Sequence, residues 1–344
     1  MRNKLMIYFS RVGLTILLSG VGMVFSGSAL AYCTPESGSP EKFEFSYNAT
    51  LLKPEENKAG TALPRNYRWY LPRTIRATCY PFNGRGSHYF KATVPNLAPG
   101  VTIDRLNFHV LNNYLQVATE VYIHGRGYFP TPFVNVSNAA DGAGGINQPF
   151  SSGSDGYISL YINRPFVGEV VIPRTLITEL SVSFARPDNY NAPLSRVFMA
   201  GKVTVPQSCS INGGQIIRIP LGKINSRNIS VKGKMPEDYI PKNVNLTIAC
   251  KNISEGVNVS LSFNGQVAGG DVTALATSNE DVGIRILNAN GQTVIPNQSE
   301  LPVSMDFIQQ TGSASMSVAP INVTGNKPES GPFTAVATMN VEMN

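Results

Sequence analysis

From Phe333 onward the chain alternates in polarity. Phe333, Ala335, Ala337, Met339, Val341 and Met343 fall on one side, and Thr334, Thr338, Asn340, Glu342 and Asn344 on the other, with Val336 as the exception in the polar set. A period of two predicts a strand with one buried face. The pattern continues to the end of the sequence. Such a strand either closes a finished sheet or lies at the rim of one that needs a strand from another chain. The same period recurs earlier. Leu115, Val117, Thr119, Val121 and Ile123 alternate with Gln116, Ala118, Glu120, Tyr122 and His124. Ile158, Leu160 and Ile162 alternate with Tyr157, Ser159 and Tyr161, and Leu176–Phe184 repeats the pattern through Leu180 and Val182. Each run predicts a half-buried strand. Asn138–Gln148 and Arg186–Asn191 read as polar loops between them.

Val203–Cys209 marks a join, where a strand ends at Pro206 and Cys209 opens a second set of runs. There Val244, Leu246, Ile248 and Cys250 share a face, as do Val257, Val259, Leu261 and Phe263. Val282–Leu287 and Thr293–Ile295 flank Asn290-Gly291, a hairpin turn signal. Helical periodicity is scarce, and Pro, Gly and Asn punctuate the chain about every ten residues, as in sandwiches and barrels. The fold class is therefore all-β in two domains, 32–205 and 206–344, the second fitting a short immunoglobulin-like sandwich.

Residues 1–31 read as a secretory signal peptide. Arg2, Lys4 and Arg11 precede an apolar run from Val12 to Phe25, and Ala29-Leu30-Ala31 is a small-x-small cleavage site. This segment accounts for half of the net charge of +6. Without it 25 basic and 22 acidic groups remain, a net +3, with the bases scattered. No nucleic-acid stripe is present. The four cysteines allow three pairings. Their grouping, two early and two late, favours Cys33–Cys79 and Cys209–Cys250 in an oxidising compartment, each worth about 4 kcal/mol in the chain-entropy model.

Gly-x-Ser-x-Gly, His-Glu-x-x-His and Walker signatures are missing, so the chain is not expected to be an enzyme. His88, His109 and His124 show no metal-ligand spacing, and neither a metal nor another cofactor is expected.

Cys209 and Cys250, the Val282–Pro296 hairpin and the alternating end strand together resemble a pilin domain of the bacterial chaperone–usher pathway. Gly331 stands where that family opens its final strand, while Met343 replaces the family's usual tyrosine. With the join at Val205-Pro206, the whole chain resembles the two-domain tip adhesins of chaperone–usher fimbriae, of the type 1 fimbrial adhesin kind. The resemblance implies a lectin-like jelly-roll sandwich followed by an incomplete immunoglobulin-like pilin domain. It implies that a donated strand fills a groove beside Gly331, Phe333, Ala335, Ala337, Met339, Val341 and Met343. A periplasmic chaperone, an outer-membrane usher and an adjacent fimbrial subunit are the implied partners, and the fimbrial tip on the cell surface is the implied location.

Asp188, Asn189, Tyr190 and Asn191 combine amides, a carboxylate and an aromatic face, as a carbohydrate pocket needs. The Asn-Tyr-Asn is similar to the pocket loop of mannose-binding tip adhesins, and by the same likeness Tyr32 and Asn83 join the site. Pro193 departs from the pattern where that family places a sugar-contacting acid. The expected receptor is a host glycan. The alternatives are a protein of the extracellular matrix bound on a flat surface, or a minor structural tip subunit.

Overall fold

A computed structural model describes residues 31–344 other than 186 and 188. The signal-peptide reading, apart from Ala31, and the Asp188 assignment lie outside the described residues. The first half is a sandwich of two sheets. One runs in the order Phe133–Ala143, Arg85–Thr93, Gly168–Phe184, Pro193–Val205 and Glu41–Thr50, the last two parallel. The other runs Ala62–Tyr70, Asp155–Ile162, Leu115–Ile123, Leu106–Val110 and Pro99–Ile103, with Gly127–Pro130 added to Leu115–Ile123. A small third sheet joins Cys33–Pro35, Ile75–Cys79 and Gly145–Phe150. The inward residues, among them Phe90, Val117, Val121, Ile158, Ile172 and Val182, form one core. Its buried hydroxyls are satisfied across the sandwich, Thr119 Oγ1 lying 2.7 Å from both Thr131 Oγ1 and Thr178 Oγ1.

Two local expectations are corrected. Leu115–Ile123 is buried on both faces, not one. Its polar residues are covered by their own partners. Gln116 accepts the Val101 N–H and donates to Asn163, and Glu120 receives Arg65. Asn138–Gln148 is not a loop. It lies in extended strands, pairing Asp141, Gly142 and Ala143 with Ser87, Gly86 and Arg85, and Gly145 with Cys79. Its glycines answer to close approach rather than freedom. A Cβ on Gly142 would lie 2.1 Å from the His88 ring, and one on Gly144 would lie 1.9 Å from the Pro81 carbonyl oxygen.

The second half has its own core, around Leu246, Ile248, Leu261, Phe263, Ile286 and Met316. Ser208–Ile211, Lys242–Lys251, Thr311–Asn322, Val282–Asn288 and Asp271–Ala276 make one sheet in that order. Glu300–Pro302, Val259–Asn264 and Thr338–Met343 make the facing one. The expected hairpin closes at Gly291, φ +75°, with Ile286 opposite Val294. Disulfides join Cys33 to Cys79 and Cys209 to Cys250. The halves meet through polar contacts. Asn252 Nδ2 donates to Leu51 O at 2.8 Å, Ser254 Oγ to Pro54 O at 2.9 Å, and Lys58 pairs with Glu255.

His88 is a buried weak point of the first core. It is 4% exposed, wedged between Phe150 and Phe184 at 4.9 Å each, and Nε2 has no partner among the described residues. Burial holds its pKa at about 4. The unfolded chain takes up this proton near pH 6.5 while the folded chain resists it. The resulting stability is complete above that pH and is lost as pH falls toward 4, on the order of 3 kcal/mol in all. Trp69 is the single tryptophan and is buried in this core. Urea unfolding followed by its fluorescence at pH 7 and pH 4.5 should show a smaller acid loss for His88→Gln than for the parent. Parallel losses would assign the acid sensitivity to other groups.

Candidate functional site

The end of the chain is only partly sheet. Thr338–Met343 pairs along one edge with Val259–Asn264, placing Val341 opposite Leu261 and Met339 opposite Phe263. Residues 333–337 are extended but belong to no strand, so the paired part is shorter than the alternation suggested. Gly331 opens the segment at φ +153°, an angle that side chains rarely tolerate. Phe333, Ala335, Ala337, Met339, Val341 and Met343 all pack against the second core while staying partly exposed.

A second row belongs to the same site and escaped the sequence reading. Ile217, Ile219 and Leu221 pack into that core, whereas Ile216, Arg218 and Pro220 between them are exposed. The alternation shows that residues 216–221 run as a strand would, yet they join no sheet. The signal that could have found them is Ile217-x-Ile219-x-Leu221, shortly after a cysteine and punctuated by Pro220. Among the described residues no strand lies on the free edge of Thr338–Met343. A cleft lined by Val257, Val259, Val303, Met305 and Phe307 opens beside Asn344. Chemically, the arrangement is a core short of one strand, with the open edge and apolar rows that an extended segment of alternating apolar residues would need.

The proposed receptor residues lie at the opposite end of the first sandwich. The long strands Gly168–Phe184 and Pro193–Val205 pair Gly168 with Val205 at the join and Ser181 with Pro193 at the far end. Asn189–Asn191 lead into Pro193 at that far end. Tyr190 is turned onto the sheet. Its hydroxyl donates to Asn135 Oδ1 at 2.6 Å, and Lys91 Nζ lies 5.7 Å from its ring. Asn189 and Asn191 are exposed. Tyr32 belongs to a separate aromatic group with Tyr80 at 5.3 Å, and Phe82 lies 4.7 Å beyond Tyr80. Asn83 follows, exposed and left-handed at φ +61°. The amino end is held there by Ser183 Oγ donating to Ala31 O and Tyr80 N–H donating to Tyr32 O. Cys33, Cys79 and His88 come within 4.8 Å of one another, but both sulfurs are spent in the disulfide and offer no thiolate.

Two β-sandwiches in tandem, the second open along one side, define the class of two-domain fimbrial subunits. The Fimbrial protein family matches residues 197–344. The chain is 34% identical to Protein LpfD of Salmonella typhimurium, over 95% of this chain and 97% of that one. It is 27% identical to the Type 1 fimbrin D-mannose specific adhesin of the same organism, over 95% and 98%. Among solved structures it is similar to the CupB6 tip adhesin of Pseudomonas aeruginosa, with 13% identity, coverage of 92% and 95%, and a TM-score of 0.47. The chain belongs to the two-domain tip adhesins of chaperone–usher fimbriae. It is an adhesive and structural protein rather than an enzyme, exported through the periplasm to the fimbria on the cell surface.

A charge on either row of the groove should oppose a strand entering it. Val341→Asp and Ile219→Asp should each weaken binding of a fluorescent alternating Val/Ser peptide to the full chain by at least about tenfold. The exposed Arg218→Ala should bind like the parent. Unchanged binding by Ile219→Asp would remove residues 216–221 from the groove.

Proposed function

We propose that this protein caps its fimbria and attaches it to a host glycan. The second sandwich is first captured by a periplasmic chaperone and then, at an outer-membrane usher, completed by a strand from the adjacent subunit. The first sandwich carries the receptor site at its far end. The observation that carries this reading is an asymmetry. The chain presents an open groove between residues 216–221 and 333–343, while residues 32–35, the start of the chain once the signal peptide is removed, are committed to the first sandwich by the Cys33–Cys79 bond, the pairing of Cys33–Pro35 with Ile75–Cys79 and the Tyr32 carbonyl. A subunit that receives a strand and offers none ends a polymer. The coverage of its relatives supports the same role, because 95% of the chain aligns with 98% of a relative described as a type 1 fimbrin D-mannose specific adhesin.

The glycan assignment rests on the chemistry of the far end. Tyr32, Tyr80 and Phe82 supply aromatic faces for the C–H surface of a sugar, and Asn83, Asp188, Asn189 and Asn191 supply donors and acceptors. Removal of the signal peptide after Ala31 leaves the Tyr32 amine beside the Tyr32–Tyr80 ring pair, a fixed cation able to donate to sugar oxygens. D-mannose, named for the type 1 relative, is one ligand to include.

The test is a glycan array probed with the mature full chain, its groove filled by the alternating peptide. Asp188→Ala should reduce binding to the recognised glycan about tenfold or more, the loss of a hydrogen bond of roughly 1.5–3 kcal/mol to a charged group, and Asn191→Ala about two- to tenfold, the loss of a neutral one of roughly 0.5–1.5 kcal/mol. The Trp69 unfolding midpoint should not move. Glycan binding that survives both substitutions would place the receptor site elsewhere.

A further inference from the structure

One face of the six-stranded sheet carries a constellation that the strand-receiving groove and the far-end loops leave unused. Its side chains stand on four neighbouring strands in register. Tyr157 lies opposite Arg68 on one side and Glu120 on the other, Tyr70 lies opposite Asp155, and Tyr122 opposite Tyr128. The rings follow one another across the strands, Tyr122 to Tyr128 at 5.5 Å and Tyr128 to Tyr157 at 4.7 Å. The Arg65 guanidinium sits 4.9 Å over Tyr157, and that of Arg68 sits 5.5 Å over Tyr70. On the core side the same strands are locked by Trp69 lying on Gly156, where a Cβ would meet the indole at 2.0 Å.

The charges are arranged to hold the two arginines rather than to project a field. Arg65 grips Glu120 through Nε at 2.9 Å and Nη2 at 2.7 Å. Arg68 grips Asp155 through Nε at 2.8 Å and again through Nη2, and Tyr128 donates to the same carboxylate at 2.8 Å. The acids are buried, Glu120 at 5% and Asp155 at 6% exposure, whereas both guanidinium side chains are half exposed. Each fork fixes its guanidinium plane, and in each the Nη1 amine has no protein partner among the described residues. Half-exposed pairs of this kind add little stability. Tyr70 is 64% exposed, a large ring left in water.

This surface selects its ligand by what it lacks. Every arginine has its own carboxylate, so the face carries no net charge to recruit an anion or a cation. Both carboxylates are held by their arginines and buried beneath the face, so the face offers flat rings and Nη1 donors while its charged acceptors are covered. A sugar brings hydroxyl donors that cannot reach these buried carboxylates. A proline-rich chain brings ring faces and carbonyl acceptors, with no N–H at proline. In the polyproline II form its carbonyls have no internal partner, and it rises 3.1 Å per residue. Four strands at about 4.8 Å spacing give a row of roughly 14 Å, room for about four such residues. Aromatic-lined surfaces dock this conformation in other recognition modules, and Tyr and Arg are the residues that dominate protein-binding hot spots.

We propose that this sheet face is a second binding site, distinct from the far-end loops, that takes a proline-rich polypeptide segment in the polyproline II conformation. The rings of Tyr70, Tyr128 and Tyr157 receive the proline faces, and the free amines of Arg65 and Arg68 donate to the peptide carbonyls.

The test is calorimetric titration of the full chain, its groove filled by the alternating peptide, with a decaproline peptide and with a Gly/Ser peptide of equal length. Saturable binding of decaproline alone is expected. Tyr70→Ala, at an exposed position, should weaken it about tenfold, and Arg68→Lys, which keeps the charge but loses the fork, should do likewise. Neither should alter the glycan-array profile, and Asp188→Ala should leave decaproline binding intact, which separates this site from the far-end one. No saturable decaproline binding by the parent, or a Tyr70→Ala variant that binds like the parent, overturns the assignment. Loss of an array glycan on Tyr70→Ala also overturns it, because the face would then be a sugar site.

Discussion

A sandwich core that lacks one strand governs the behaviour of the second half of this protein. Six side chains from Phe333 to Met343 and three from Ile217 to Leu221 touch the core without being enclosed by it. The hydrophobic effect favours closing that gap, and the unpaired edge of Thr338–Met343 supplies a hydrogen-bonding template for whatever closes it. The two requirements act together, because a strand of period two satisfies the backbone and the apolar rows at once. The rest of the second sandwich is built to hold this opening in place. The Cys209–Cys250 bond ties Ser208–Ile211 to the interior strand Lys242–Lys251, so residues 216–221 leave a fixed edge rather than a loose one.

The first sandwich faces the opposite constraint. It encloses its own core, including polar members such as the Thr119–Thr131–Thr178 hydroxyls, and it uses its amino end in doing so. The two cores are joined by side chains donating to main-chain carbonyls at Leu51, Pro54 and Phe166 and by Val167 packing against the second core. Each half keeps its own core, and the junction between them is small and largely polar.

Much of this was legible from period and punctuation. Alternation located the strands at 115–123 and 157–162 and the paired part, 338–343, of the end segment, and the grouping of the cysteines agrees with the two bonds that form. The misses have physical causes. Asn138–Gln148 read as a polar loop because Asn, Asp, Gln and Gly recur in it, yet Gly142 and Gly144 are what let the strand pass His88 and the Pro81 carbonyl. Residues 216–221 gave only three apolar positions, interrupted by Pro220, too short a run to separate from loop. The candidate receptor residues are close in sequence, but their described contacts form two groups. Tyr32 sits with Tyr80 and Phe82, and Tyr190 with Asn135 and Lys91. Sequence spacing carries no information about such a division, since the sheet register decides it.

The tyrosine–arginine face shows the same limit from the other side. Arg65, Arg68, Glu120, Asp155 and Tyr157 sit on three strands up to 92 positions apart in the chain, and each reads alone as an ordinary polar position of a half-buried strand. Only pairing in register makes Glu120 and Asp155 buried anchors and turns Arg65 and Arg68 into oriented donors. A buried carboxylate costs desolvation that its arginine must offset, so an apolar pair at these positions would hold the sheet as well or better. Stability alone gives no reason for the anchors to be charged. Presenting two guanidinium groups at fixed height among four tyrosine rings does give a reason, and it is a reason that concerns what lies outside the fold.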